Sequence, residues 1–247
     1  MHENMKQRTE YSIVVLCYGS GAKIPAFVEN TIKLLLANDI NDYELVLVGN
    51  YLENQFDNAA TIVQQLAKGN SRIIAVAKKK EGMMGWDMRA GLAAATGNYI
   101  SVIDGDGQMP IEDLVRVYQK IRNENYDVVK TVRIKRSDGI YRKIVSNIFN
   151  VFFRLLFPSA GSKDINSKPK IFSRQNYEKF DLRSNDWFVD AEIMIQARRL
   201  GLKIGEVPTS FDALDREEGT FIGFFTFLEF IKNLIQFRLI EFWKDRR

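Results

Sequence analysis

The sequence predicts an α/β fold built on a mostly parallel β-sheet with helices on both faces. Short runs rich in Val and Ile alternate with segments of helical periodicity. The runs are nearly continuous in apolar residues, which is typical of strands buried on both faces. Apolar residues make up 46% of the 247 residues and charged residues 27%, a globular composition. Regular alternation of strand and helix favours a parallel sheet.

Buried strands and the helices between them follow in order along the chain. Strands are predicted at 11–17, 44–48, 72–77, 98–104 and 127–132. Helices are predicted at 24–38, 57–68, 84–95, 111–123 and 189–201, where apolar residues recur at three- and four-residue spacing. The sequence has neither an internal repeat nor a linker rich in Pro and Gly. We therefore predict one α/β domain over 1–212.

The last third of the chain contains two apolar, aromatic-rich segments of helical length, 143–158 and 221–243. In the second, polar residues recur at the spacing of one helix face: Glu229, Lys232, Asn233 and Gln236. A charge at a bilayer centre costs about 2.5–3.5 kcal/mol, so we expect 213–247 to form a loop and an amphipathic helix at the membrane surface. Burial in the core is an equal alternative for 143–158 and also an alternative for 221–243, for which pairing in a homo-oligomer is a further alternative.

The composition excludes several kinds of chemistry and of location. His2 and Cys17 are the chain's one histidine and one cysteine, which excludes a Ser-His-Asp triad, a Cys-His pair and an internal disulfide. The net charge of +4 is too small to indicate nucleic acid binding. The first ten residues are polar, and no stretch of about twenty residues is both apolar and free of charge. We expect a cytoplasmic protein with neither a signal peptide nor a membrane span.

The sharpest chemical signal follows the 98–104 strand. Asp104 and Asp106 are one residue apart, Gln108 comes two residues later, and glycines at 105 and 107 let the backbone bend. Ligands of parallel α/β sheets bind beyond the carboxyl ends of strands. These oxygen ligands suit Mg²⁺ or Mn²⁺ shared with substrate phosphates. The alternative, a plain Asp-Gly turn before the next helix, accounts for one Asp but not for both with Gln108.

The order of motifs resembles the family 2 glycosyltransferases, and within them the dolichyl/polyprenyl-phosphate sugar synthases. The resemblance extends over about 11–220. Its motifs are G-x-x-G-W-x-x-R-x-G at 82–91, D-x-D-x-Q at 104–108, W-F-V-D-A-E at 187–192, E-V-P at 206–208 and R-x-x-G at 216–219. It implies a GT-A-like (Rossmann-like) fold and a metal-dependent, inverting transfer from a nucleotide-diphospho-sugar, as in cell envelope biosynthesis.

The resemblance also implies roles for individual residues. Asp104, Asp106 and Gln108 would bind the metal and the donor diphosphate. The donor would further contact Tyr18, Asn50, Gly85, Arg89 and Arg216. The acceptor would contact Arg133, Arg142, Ser146 and Glu192. A polyprenyl phosphate acceptor is already an anion and needs no base, whereas a sugar hydroxyl would need one, with Asp190 as the candidate.

The sequence departs from the family pattern at four places. The acidic residues that usually follow the first and second strands are missing at Gly19–Gly21 and at Gly49-Asn50, while Lys168 replaces a Gly and Lys170 stands for an Arg. We predict transfer to a polyprenyl phosphate on the inner face of the membrane. The alternatives are transfer to a lipid-linked saccharide hydroxyl and a non-catalytic nucleotide-binding scaffold. A sugar nucleotidyltransferase is disfavoured because no Gly-rich, basic phosphate loop follows the first strand.

Overall fold

The computed structural model describes residues 8–53, 57–136, 140–157, 164–211 and 231–239. The strands are β1 (Tyr11–Leu16), β2 (Tyr43–Val48), β3 (Ile73–Val76), β4 (Tyr99–Asp104), β5 (Val128–Arg136), β6 (Lys170–Ser173) and β7 (Ile204–Phe211). The helices are α1 (Lys23–Ala37), α2 (Ala59–Gly69), α3 (Met84–Ala94), α4 (Glu112–Asn123), α5 (Ile140–Leu156), α6 (Arg174–Tyr177) and α7 (Val189–Arg199). Residues 231–239 form a further helix, α8.

The strands form one seven-stranded sheet in the order β3-β2-β1-β4-β6-β5-β7. β6 runs antiparallel to β4 and β5, and the remaining strand pairs are parallel. Leu16 of β1 is level with Val48 of β2 and with Asp104 of β4. The loops that follow these three strands therefore meet at one edge of the sheet. The predicted α/β fold with a mostly parallel sheet is confirmed.

Helices cover both faces of the sheet, which explains the continuous apolar strands. Ile13 and Val15 of β1 point to the side of α1, α2 and α4, and Val14 points to the side of α3 and α7. All six residues of β1 are buried. Successive side chains of a strand point to opposite faces, so a strand covered on both faces is apolar at nearly every position; the buried Ser12 donates its hydroxyl to Glu44.

A third apolar cluster lies where α5 and α8 pack against the start of α7. Phe153 of α5, Phe188 beside α7 and Leu234 of α8 are each fully buried in it. Both late helices therefore contribute to the core on one side. One residue of the predicted polar face of the last helix contacts the protein: Asn233 is partly buried and donates a 2.7 Å hydrogen bond to Asp186 Oδ2, whereas Lys232 and Gln236 are exposed. Glu229 lies outside the described residues.

The sequence predictions did not find β6 and β7. β6 has four residues, which is too short to show a period. β7 forms an edge of the described sheet, buries alternate residues and contains Pro208, which an edge strand tolerates. β5 also runs to Arg136, beyond its predicted end at 132. None of the helices in the described ranges is long and apolar enough to cross a bilayer.

Candidate active site

The predicted metal ligands lie on one turn at the carboxyl edge of the sheet. Asp104 ends β4, and Gly105 donates its N–H to Leu16 O of β1 at 2.8 Å. Gly107 has a φ of +78°, a left-handed conformation that favours glycine. Asp106 Oδ1 accepts a 3.0 Å hydrogen bond from the Gln108 N–H. The three predicted ligands therefore lie on one turn of the backbone, within five residues of the chain.

A cleft of about 320 Å³ lies between this turn and helix α1, with Lys23, Asn30 and Asp106 among its lining residues. Helix α1 covers the face of the sheet opposite to α3 and α7. Asp106 is therefore open to ligands from the α1 side. The other carboxylate of the motif, Asp104, has its contacts on the α3 and α7 side.

Asp104 and Asp190, the predicted base, contact the same buried cation, Lys168. Lys168 Nζ lies 3.2 Å from Asp104 Oδ2 and 3.2 Å from Asp190 Oδ2. The Lys168 side chain is 4% exposed and that of Asp104 is 35% exposed. Burial by itself lowers the pKa of Lys168, but the two carboxylates outweigh burial and the net pKa is raised. Lys168 is thus a buried ammonium that joins two residues far apart in sequence.

Asp190 is paired with a second ammonium as well. Lys170 Nζ donates to Asp190 Oδ1, and both side chains are 1% exposed. Burial by itself raises the pKa of Asp190, but Lys168 and Lys170 together outweigh it and the net pKa lies below the ordinary value. An ionised, buried carboxylate held by two ammonium groups is a weak proton acceptor. Asp190 is therefore poorly suited to deprotonate a sugar hydroxyl.

Glu192, predicted to contact the acceptor, holds a loop of the protein itself. Its Oε1 accepts the Arg183 N–H and its Oε2 accepts the Ser184 N–H, each at 2.9 Å. The Glu192 side chain is fully buried, one turn of helix α7 from its start. Its carboxylate therefore fixes the backbone at 183–184.

The same loop caps the start of α3, where two predicted donor contacts lie. The Met83 N–H donates to Asn185 O at 2.7 Å, and the Gly85 N–H donates to Asp186 O at 2.9 Å. These carbonyls satisfy N–H groups that a helix start leaves without an intrahelical partner. A Cβ at Gly85 would lie 2.5 Å from Asp186 O, so glycine is required there. Arg89 also donates to Arg183 O at 3.1 Å.

Asn50 and Tyr18 surround a buried ion pair at the ends of β2 and β3. Asn50 Nδ2 donates to Asp87 Oδ1 at 2.9 Å, and Asn50 Oδ1 accepts the Lys78 N–H at 2.8 Å. Lys80 pairs with Asp87 and lies 3.7 Å from the centroid of the Tyr18 ring. Burial raises the pKa of Asp87 although Lys80 and Asn50 oppose the shift. Sequence reasoning missed Asp87, which places a carboxylate from α3 beside Asn50.

Among the predicted acceptor residues, Arg133 is held by a carboxylate. Its Nε lies 2.6 Å from Asp164 Oδ2 and its second terminal nitrogen lies 2.7 Å from Asp164 Oδ1. Burial opposes ionisation of Asp164, but Arg133 outweighs burial and lowers the pKa of Asp164 to about 2. Arg142 and Ser146 belong to α5, and their side chains lie outside the described part of the structure. Arg216 lies outside the described residues.

The oxygen ligands at the turn fit a divalent ion of the Mg²⁺ type. Such an ion is usually held by one or two carboxylates together with substrate phosphates rather than by a cage of protein ligands. In the described ranges, no three Asp, Glu, His or Cys side chains cluster as a metal site would require. Asp104, Asp106 and Gln108 are therefore a partial set that a diphosphate would complete. Lys168 already occupies one oxygen of that set.

Comparison with solved structures shows the fold. Glucosyl-3-phosphoglycerate synthase from Mycobacterium tuberculosis in complex with UDP is similar with a TM-score of 0.69 at 18% identity, over 92% of this chain and 80% of that chain. The same enzyme with Mn²⁺, UDP and glucosyl-3-phosphoglycerate gives a TM-score of 0.69 at 18% identity, over 95% of this chain and 79% of that chain. This likeness confirms the predicted GT-A-like fold.

Two groups of relatives are similar in sequence. Undecaprenyl-phosphate 4-deoxy-4-formamido-L-arabinose transferase from Yersinia enterocolitica is 32% identical over 58% of this chain. The matched part covers 42% of the length of that relative. Dolichyl-phosphate beta-glucosyltransferase from Dictyostelium discoideum is 24% identical over 94% of this chain and 76% of that protein. Residues 12–185 match the sequence profile of Glycosyl transferase family 2. The chain belongs to glycosyl transferase family 2, as its motifs predicted.

Proposed function

We propose that this chain transfers a sugar, with inversion, from a nucleotide-diphospho-sugar to a polyprenyl phosphate at the membrane surface. The observation that carries the proposal is the state of Asp190. It is 1% exposed and paired with Lys168 and Lys170, so it is a poor base for a sugar hydroxyl. An acceptor phosphate is already ionised and needs no base. Two relatives support the same acceptor, because one is named as an undecaprenyl-phosphate sugar transferase and the other as a dolichyl-phosphate glucosyltransferase.

The donor would lie over the turn that follows β4. Asp104, Asp106 and Gln108 would hold Mg²⁺ or Mn²⁺, ions that occur in structures of the mycobacterial synthase, and a bound metal neutralises charge on the diphosphate leaving group. The Gln108 N–H fixes Asp106 within the turn at 3.0 Å. The carboxylate therefore needs little reorganisation when the donor binds.

The transfer itself is one displacement without a proton transfer. An oxygen of the acceptor phosphate forms a bond to the anomeric carbon, and the bond from that carbon to the diphosphate oxygen breaks. The electron pair of the broken bond leaves with the nucleoside diphosphate. Arg133, Arg142 and Ser146, at the end of β5 and in α5, are the proposed contacts of the acceptor phosphate. Asp164 orients Arg133 through two hydrogen bonds.

An apolar stripe supports a position at the membrane surface. Ile148, Val151, Phe152 and Leu155 of α5 are 40%, 43%, 43% and 72% exposed, and they recur at three- and four-residue spacing. Opposite this stripe, α5 buries Phe153 in the core. A helix with one buried face and one exposed apolar face is suited to the interface between lipid and water. The stripe begins two residues after Ser146, near the proposed acceptor contacts.

Replacing Phe152 and Leu155 together by Asp is expected to weaken binding to anionic vesicles about a hundredfold or more. Each apolar side chain contributes about 1.5–3 kcal/mol when it leaves water. Co-sedimentation with vesicles of phosphatidylcholine and phosphatidylglycerol measures the effect. The matched control is Leu36→Asp, because Leu36 is 46% exposed on α1, away from the stripe. Equal binding by the double variant and the wild type would contradict a membrane role for α5.

The acceptor is tested by transfer of a labelled sugar to a short polyprenyl phosphate. Arg142→Gln is expected to lower turnover about a hundredfold, because a charge-assisted contact to the phosphate is worth about 1.5–3 kcal/mol. Nucleotide binding should stay unchanged. Arg154→Gln is the matched control, since Arg154 is an exposed arginine on the same helix.

The same assay separates the proposal from its alternatives. If the acceptor is a lipid-linked saccharide hydroxyl, the polyprenyl phosphate stays unglycosylated and Arg142→Gln spares turnover. If the chain is a nucleotide-binding scaffold, the donor binds and neither acceptor is glycosylated. Either result would overturn transfer to a lipid phosphate.

A further inference from the structure

Lys168 has a fixed place beside the D-x-D motif. Its Nζ lies 3.2 Å from Asp104 Oδ2, 3.2 Å from Asp190 Oδ2 and 3.3 Å from Met84 Sδ. The side chain is 4% exposed, so water contributes little to its solvation. Contacts on three sides therefore hold the ammonium against Asp104.

Lys168 belongs to a group of charged side chains within the protein. Asp190 receives a second ammonium from Lys170, whereas one oxygen of Asp104 is taken by Lys168. Two carboxylates and two ammonium groups thus face one another around Lys168, and the buried Lys130 lies beside Lys170. Asp104 is the member whose side chain is partly exposed, at 35%. It is therefore the member through which this group meets a ligand.

A divalent cation bound to Asp104 would share that carboxylate with the ammonium. Two cations on one carboxylate lie within a few ångströms of each other, and their repulsion is large where little water screens it. The ammonium cannot retreat without leaving Asp190, because its other contacts are also buried. A metal ion at Asp104 and the Lys168–Asp104 ion pair therefore destabilise each other.

We infer that Lys168 supplies part of the positive charge that a divalent cation at the D-x-D motif would otherwise supply to the donor, so that a metal held through Asp106 and the second oxygen of Asp104 adds little to the affinity for the donor nucleotide. Lys168 is thus a positioning residue that acts through Asp104. The inference rests on the proposed function, in which the donor is a nucleotide-diphospho-sugar. It also predicts that the chain without this ammonium binds a divalent metal more tightly.

Two measurements test the inference. The first is binding of Mn²⁺ to the protein alone, followed by the electron paramagnetic resonance signal of free Mn²⁺. The second is calorimetric binding of UDP, GDP, CDP, dTDP and ADP, each with Mn²⁺ and with EDTA. For the wild type, the Kd of the best-bound nucleotide is expected to change less than tenfold between Mn²⁺ and EDTA. For Lys168→Met, Mn²⁺ is expected to bind at least tenfold more tightly, and nucleotide binding should then require Mn²⁺.

Two further variants separate this role from a general loss of buried charge. Lys170→Met removes an equally buried ammonium that pairs with Asp190, and it is expected to change Mn²⁺ affinity less than threefold. Lys168→Arg keeps the charge and is expected to bind Mn²⁺ as weakly as the wild type. If Lys168→Met does not fold, the wild-type comparison of Mn²⁺ with EDTA still decides.

The outcomes distinguish this inference from the proposed function. Wild-type nucleotide binding that is lost in EDTA would overturn the inference and leave the proposed transfer standing. Unchanged Mn²⁺ affinity in a folded Lys168→Met variant would overturn it too. If no nucleotide binds under any condition, the proposed function fails, while the Mn²⁺ titration of the protein alone still tests Lys168.

Discussion

Replacing Asp106 by Ala is expected to lower kcat for sugar transfer by about a thousandfold. Asp106 is placed by the turn after β4, and its carboxylate lines the open cleft beside α1. Loss of one preorganised group that stabilises transition-state charge costs about 10²–10³-fold in kcat, and Asp106 would also hold the metal. Transfer of a labelled sugar to polyprenyl phosphate, under saturating donor, measures the loss.

Glu112→Ala is the matched control for Asp106→Ala. Glu112 is an exposed carboxylate six residues further along the chain, at the start of α4. The control is expected to retain wild-type turnover, and both variants are expected to keep the melting temperature. An Asp106→Ala variant that binds the donor and retains more than a tenth of wild-type turnover would remove Asp106 from the catalytic site. The scaffold alternative predicts a different result: neither the wild type nor the variant transfers sugar, and the biological role survives Asp106→Ala.

Replacing Asp190 by Asn is expected to lower the free energy of unfolding by about 3–5 kcal/mol, the usual cost of breaking a buried ion pair from one side. The substitution removes the carboxylate with which Lys170 pairs and leaves Lys168 in contact with Asp104, and both lysines are buried. Urea unfolding at neutral pH measures the change. The expected loss is a loss of folding stability, and it is separate from any effect on catalysis.

Asp181→Asn provides the control for an ion pair in water. Asp181 pairs with Arg183, and their side chains are 66% and 74% exposed. Removal of such an exposed pair is expected to cost less than about 1 kcal/mol. The double variant Asp190→Asn with Lys170→Met should recover part of the lost stability, because it removes the buried ammonium that Asp190→Asn leaves without its paired carboxylate. Equal costs for Asp190→Asn and Asp181→Asn would contradict the buried network.

The pH dependence of the Asp190 effect has a definite sign. The folded protein lowers the pKa of this carboxyl below its ordinary value. Its contribution to stability is therefore fully present above the unfolded pKa of about 3.9 and is lost as the pH falls through the folded value. The difference in unfolding free energy between the wild type and Asp190→Asn should shrink in that acidic range.

The sequence predicts well those strands that are covered on both faces. β1 is an example, because Ile13 and Val15 serve one core and Val14 the other. β7 escapes prediction because an edge strand needs apolar residues only at alternate positions, and Pro208 there resembles a loop. β6 escapes because its four residues are too few for a period and include Lys170 and Ser173, whereas the equally short β3 is apolar throughout.

The candidate site divides in a similar way. Asp104, Asp106 and Gln108 are predicted from spacing because they lie on one turn. Lys168 is 64 residues from Asp104 in sequence, and the antiparallel strand β6 brings it there. A pattern of neighbouring residues contains no information about such a partner. The replacement of a family glycine by Lys168 was the one available signal.

The loop at 183–186 has a consequence for building chimaeric transferases. In this loop, the N–H groups of residues 183 and 184 donate to the carboxylate of Glu192 in α7. The loop's carbonyls at 185 and 186 cap the start of α3. The two helices are therefore linked by main-chain atoms that any side chain at position 85 would displace. Either segment can then be exchanged between family members by itself only if the glycine at position 85 and the carboxylate at position 192 are both kept. A chimaera that loses one of them should fold poorly, even if every catalytic side chain is present.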